Sequence, residues 1–148
     1  MTRAPSALRA LLAVVAVAGL LGACGGGSSG GGVESLDPGT STDATVRMAM
    51  AEYKYTPNAT TVASGQAVRF EFPNAGSLQH EARVGTMEQQ EAYEKDRSGP
   101  GADLPSVLVQ PGQTGELLLR FAKPGTYVIG CHELGHWAAG QKATVTVR

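Results

Sequence analysis

Three side chains near the C-terminus could act on a single ion. Cys131, His136 and Gln141 stand five residues apart each time in the stretch Gly130-Cys131-His132-Glu133-Leu134-Gly135-His136-Trp137-Ala138-Ala139-Gly140-Gln141. A thiolate is soft, an imidazole is intermediate, and an amide oxygen is a weaker, harder donor. A second imidazole, His80, follows the turn-forming Asn74-Ala75-Gly76-Ser77. Two imidazoles and a thiolate in a trigonal set, with a weak axial methionine or glutamine, suit copper. One cysteine and two histidines would also accept zinc in a tetrahedral geometry. His132-Glu133-Leu134-Gly135-His136 matches the zinc-protease pattern literally, but that pattern needs a helix to bring both histidines to one face. Gly135 and the strand-forming flanks argue against a helix. Alone, Cys131 would read as a buried structural thiol; its spacing to His136 and the presence of His80 favour ligation. His132, next to Cys131, reads as a solvated loop residue rather than an extra ligand.

Short strands must hold these donors. Tyr127-Val128-Ile129 precedes the loop, and residues 142–147 follow it with Val145 and Val147 facing inward. Residues 45–50 alternate, with Val46, Met48 and Met50 on one face, which makes the two methionines core residues rather than soft ligands. Residues 53–55 and 60–62 are short extended segments around the turns Pro57-Asn58 and Ser64-Gly65. Residues 67–72 set Val68, Phe70 and Phe72 against Arg69 and Glu71. Residues 80–84, 115–121 and 126–130 complete the strand set. Residues 86–95 differ: Thr86 with Gln89 three residues on is a capping-box pattern, and Glu88, Glu91 and Glu94 form a solvated acidic face of a short helix. Many short strands and one small helix predict an all-β Greek-key sandwich or barrel.

The 148-residue chain suits one domain, and 12 Lys+Arg against 13 Asp+Glu give a net charge of -1. With no basic excess, nucleic acid is not a partner. Arg3 and Arg9 precede an uncharged run over residues 10–23, shorter than the roughly 20 apolar residues of a membrane span. A basic start, a short apolar core and small residues at its end predict a secretory signal. Its last residues, Leu21-Gly22-Ala23-Cys24, resemble a bacterial lipobox, which implies lipidation of Cys24 after cleavage. Residues 24–43 begin with the lipidated cysteine and a Gly/Ser run and read as a flexible linker. The expected organisation is therefore a signal peptide over 1–23, a linker over 24–43 and the β domain over 44–148. With Cys24 lipidated, Cys131 is the one free thiol outside the cytoplasm, where metal ligation would protect it.

The domain resembles the cupredoxin family, and bacterial plastocyanin/azurin-like domains in particular. The likeness rests on an ordered set: Val68-Arg69-Phe70-Glu71-Phe72-Pro73-Asn74-Ala75-Gly76 leading to His80-Glu81; Val109-Gln110-Pro111-Gly112-Gln113-Thr114; Phe121-Ala122-Lys123-Pro124-Gly125-Thr126-Tyr127; and the pairs Gly130-Cys131, Gly135-His136 and Gly140-Gln141. The resemblance implies one mononuclear type 1 copper ion, with His80, Cys131 and His136 as equatorial ligands. Gln141 stands where most of the family has methionine, as in stellacyanins. A harder axial donor favours Cu(II) and lowers the reduction potential. Glu81 stands where many relatives have asparagine. The resemblance also implies a docking patch around the edge of His136, with Trp137 and Leu134; packing of Trp137 into the sandwich is the other reading of that residue.

These features predict a monomer that is lipid-anchored on the extracytoplasmic face of the cell membrane and passes single electrons to a redox partner protein. No acid/base pair is legible, so the chain is not read as an enzyme. Copper delivery or storage, or a metal-free interaction domain, would use the same fold.

Overall fold

Alternation of apolar and polar residues over short segments builds two sheets whose inner faces share one core. The computed structural model describes Met1 and residues 32–148. The signal segment, Cys24 and the glycine-rich start of the linker lie outside the described residues. In chain order the elements are β1 (Val33–Ser35), β2 (Ala44–Arg47), β3 (Ala49–Ala51), β4 (Lys54–Thr56), β5 (Ala59–Val62), β6 (Ala67–Pro73) and β7 (His80–Gly85). They continue with α1 (Met87–Lys95), β8 (Ser106–Val109), β9 (Thr114–Phe121), β10 (Gly125–Gly130) and β11 (Lys142–Val147). One sheet has the order β1-β9-β6-β2, the other β5-β11-β10-β7-β8, and β3 and β4 form a separate hairpin. Neighbours distant in sequence, such as β6 with β9 and β5 with β11, show that the chain crosses between sheets, as a Greek-key sandwich requires.

The period-two pattern decides which side chains enter the core. In β6, Val68, Phe70 and Phe72 are fully buried while Arg69 and Glu71 are not. In β11, Ala143, Val145 and Val147 face inward. Phe70 stacks on Phe72 and meets Phe121 edge-on. Met48 and Met50 are fully buried core residues. β7 is buried along its whole length because α1 lies over its outer side: Gln90 of the helix donates to the Arg83 and Val128 carbonyls. The capping box forms as expected, with the Gln89 amide N–H donating to Thr86 Oγ1 and the Thr86 N–H to Gln89 Oε1.

Three expectations need correction. The linker does not extend to residue 43: β1 pairs antiparallel with β9, and Val33 is buried against the core. A three-residue strand after a glycine run carries too little pattern to be read alone. Residues 45–50 are not one strand: β2 runs parallel to β6, the Met48 N–H donates to the Glu71 carbonyl, and β3 leaves to pair with β4. β8 was not anticipated; it is an edge strand bounded by Pro105 and Pro111, where a missing N–H is tolerated.

Candidate metal centre

The hairpin of β10 and β11 carries three of the donors. It closes with Gly130 opposite Lys142, and the Cys131 N–H donates to the Gln141 carbonyl. Cys131 thus ends one strand and Gln141 precedes the next. Between them the chain turns repeatedly: His136 N–H bonds the Glu133 carbonyl, Gly140 N–H the Trp137 carbonyl and Gln141 N–H the His136 carbonyl. Gly140, at φ +92, supplies a left-handed residue this path needs. Gly130 is required for another reason, since a Cβ there would lie 2.7 Å from the Trp137 ring. The fourth donor, His80, opens β7. Its approach is fixed by Asn74, whose side chain donates to the Leu78 and Val109 carbonyls and accepts from the Gly76 N–H.

These elements bring His80, Cys131 and His136 together, all buried, with one ligand atom of each within 4.8 Å of the others. Cys131 Sγ lies 3.3 Å from His136 Nδ1 and 3.9 Å from His80 Nδ1. Ligand bonds of about 2.0–2.3 Å place the donors around one metal roughly 3.5 Å apart. The set therefore fits a single ion with little rearrangement. It is the one such group among the described residues. Gln141 is fully buried beside it: its Nε2 donates to the Ala51 carbonyl at 3.2 Å and lies 3.0 Å from His80 Nδ1, while its Oε1 has no hydrogen-bond partner. His80 Nε2 is likewise buried without a partner. A buried polar atom left unpaired is costly and calls for a specific use.

Burial sets the protonation of the donors. Desolvation pushes the Cys131 thiol up to about 11, against the hydrogen bond that its sulfur accepts from the Glu81 N–H at 3.3 Å. Burial, with His136 next in effect, lowers His80, which leaves its imidazole neutral and its lone pair available. Cys131 would give up its proton on holding a metal here, and His80 would offer a neutral imidazole.

The neighbouring residues depart from the sequence reading. His132 is neither solvated nor a ligand. It is buried, with Nδ1 2.7 Å from Glu94 Oε2 and Nε2 2.6 Å from Gln90 Oε1, and its ring stacks on Trp137. Consecutive residues of an extended chain point to opposite sides, so Cys131 faces the core and His132 faces α1. This separates His132 from His136 and removes the protease pattern. Glu94 is accordingly part of the packed helix contact, whereas Glu88 and Glu91 are exposed. Trp137 is 8% exposed, with the Lys142 ammonium 3.9 Å from its ring. Its indole is thus an inward support, and the docking patch expected around it loses that member; Leu134 is 98% exposed and His136 5%.

Two contacts escaped sequence reading. The Glu81 carboxylate forms a buried ion pair with Arg83, whose Nη1 donates to the Gly101 carbonyl and whose guanidinium lies 3.8 Å from the Tyr93 ring centre. Glu81 and Arg83 are two apart on one face of β7, the sole signal that would have paired them. Tyr53, in the β3–β4 turn, sets its ring edge-on to His136 at 5.4 Å; nothing in its sequence context marks it.

No family profile matches the chain. It is 35% identical over 109 residues to the copper-resistant cuproprotein CopI of Rubrivivax gelatinosus, covering 70% of this chain and 66% of that protein, just under two thirds. A protein of the same name from Pseudomonas aeruginosa is 27% identical over 136 residues, covering 70% of this chain and 75% of the relative. Among solved structures, auracyanin B superposes with a TM-score of 0.68 at 21% identity, covering 80% of this chain and 96% of the other. Reduced auracyanin from the photosynthetic bacterium Roseiflexus castenholzii gives 0.64 at 27% identity, covering 74% and 99%.

Proposed function

The chain belongs to the cupredoxin family, and on that premise we propose that it is a membrane-tethered carrier of single electrons outside the cytoplasm. Its cofactor is copper, held by His80, Cys131 and His136. Bound copper supplies a one-electron couple between Cu(II) and Cu(I). The observation that carries the reading is the convergence of one thiol and two imidazoles in a buried, strand-braced site. Such bracing limits ligand movement between redox states. Gln141 would be a further, weak donor to the ion, a role supported by its unpaired, buried Oε1. The exposed Leu134 beside the nearly covered His136 offers a small apolar contact for a redox partner. Lipidation of Cys24 supplies the tether, supported by Leu21-Gly22-Ala23-Cys24 behind a signal-like segment.

A second reading, copper delivery or storage, is favoured by the copper-resistant relatives. The visible absorption and EPR spectra of the Cu(II)-loaded chain separate the two. An intense thiolate-to-copper charge-transfer band, lost in Cys131→Ser, is the expected result. A colourless protein with ordinary cupric features would sink the electron-carrier reading and promote copper handling.

A further inference from the structure

The turn between β3 and β4 touches the metal centre three times. Its flanking Ala51 carbonyl accepts from Gln141 Nε2 at 3.2 Å, and the Lys54 carbonyl lies 3.5 Å from the same nitrogen. Glu52 reaches across to the loop ahead of His80, where its Oε1 accepts from the Ser77 N–H, the Ser77 hydroxyl and the Leu78 N–H. These donors hold its carboxyl down at about 2, so it is ionised under ordinary conditions. Tyr53 lays its ring edge-on to His136.

Tyr53 does this from an unfavourable backbone. Its φ is +63, the one non-glycine residue with positive φ among the described residues. A short hairpin connection ordinarily places glycine or asparagine in that region. A left-handed conformation at a bulky residue costs free energy and persists only where the surroundings over-determine it. Here Glu52 pins one side of the turn, and strand pairing of Ala51 with Lys54 pins the other. A glycine would relieve the backbone but would remove the only part of the residue that reaches His136.

We propose that the Glu52–Tyr53 turn is a clasp over the metal centre, with Tyr53 the positioning residue that holds His136 and restricts access to Cys131. The clasp rests on the reading of His80, Cys131 and His136 as ligands. It predicts that opening of this turn, rather than global unfolding, sets how fast the site exchanges its ion and admits reagents.

The test compares the full chain with Tyr53→Gly and Tyr53→Phe. In metal-free protein, alkylation of Cys131 is followed by mass spectrometry of the peptide that carries it, so Cys24 does not contribute. In Cu(I)-loaded protein, transfer to a chromogenic Cu(I) chelator is timed. Both rates should rise about two- to tenfold in Tyr53→Gly, the range expected for losing one aromatic edge contact. The melting temperature of metal-free Tyr53→Gly should stay close to the wild type, because relief of the left-handed strain offsets much of the lost ring contact. Tyr53→Phe, which keeps the ring, should behave as wild type in every measurement. Unchanged alkylation in Tyr53→Gly overturns the clasp, as does faster alkylation accompanied by a markedly lower melting temperature. A missing charge-transfer band would instead refute the electron-carrier reading and leave the alkylation result to decide the clasp.

Discussion

At the residue scale, the centre combines a soft thiolate with a glutamine where the family usually has methionine. As a ligand, its amide oxygen would be a harder donor than a thioether and would stabilise Cu(II) relative to Cu(I). Gln141→Met should therefore raise the reduction potential while the band from Cys131 persists; a redox titration followed at that band checks it. An unchanged potential would show that Gln141 Oε1 does not reach the ion. Cys131 and His136 were legible in the sequence because ligand chemistry restricts residue type and the loop between two strands restricts spacing, and His80 joined them through the family resemblance of the segment ahead of it. His132 was misread as solvated because its surroundings come from α1, some forty residues earlier in the chain. Tyr53 was invisible because its role depends on a backbone angle and a ring contact, neither of which its residue type announces.

At the element scale, Arg83 pairs with Glu81 of its own strand β7 and joins that strand to α1 through its contact with the Tyr93 ring. Arg83 holds Glu81 and reaches the Gly101 and Ala102 carbonyls, while the Glu81 N–H bonds Cys131 Sγ and its carbonyl accepts from the Tyr55 hydroxyl. Removing one partner leaves the other charge buried and unpaired. Arg83→Ala should cost about 3–5 kcal/mol of stability, measured by denaturant unfolding of the metal-free chain. A cost below about 1 kcal/mol, the range of an exposed pair, would mean that water reaches Glu81. Elements with a strong local pattern were readable: β6 by its alternation, and α1 by Thr86 and Gln89. β8, between two prolines at a sheet edge, and the break at Met48 were not, because pairing partners far along the chain determine both.

At the scale of the whole molecule, the fold class followed from many short alternating segments, but its starting point did not. β1 completes one edge of the first sheet by pairing with β9, and the Leu36 N–H adds a bond to the Leu118 carbonyl. A chain beginning at residue 32 keeps β1. One beginning at residue 44 should lose about 1.5–3 kcal/mol from Val33 alone, read as a lower midpoint in urea; equal midpoints would make β1 dispensable. The register also gives the domain a direction. The described chain enters beside Phe121, and its last strand ends with Val147 opposite Gly125, whereas Thr114, Gly130 and His80 lie toward the metal. Both ends of the domain thus leave from one pole and the metal-ligating residues lie at the other. Attachment through either terminus, to a surface or to a fused protein, would leave the metal-bearing pole facing away from it.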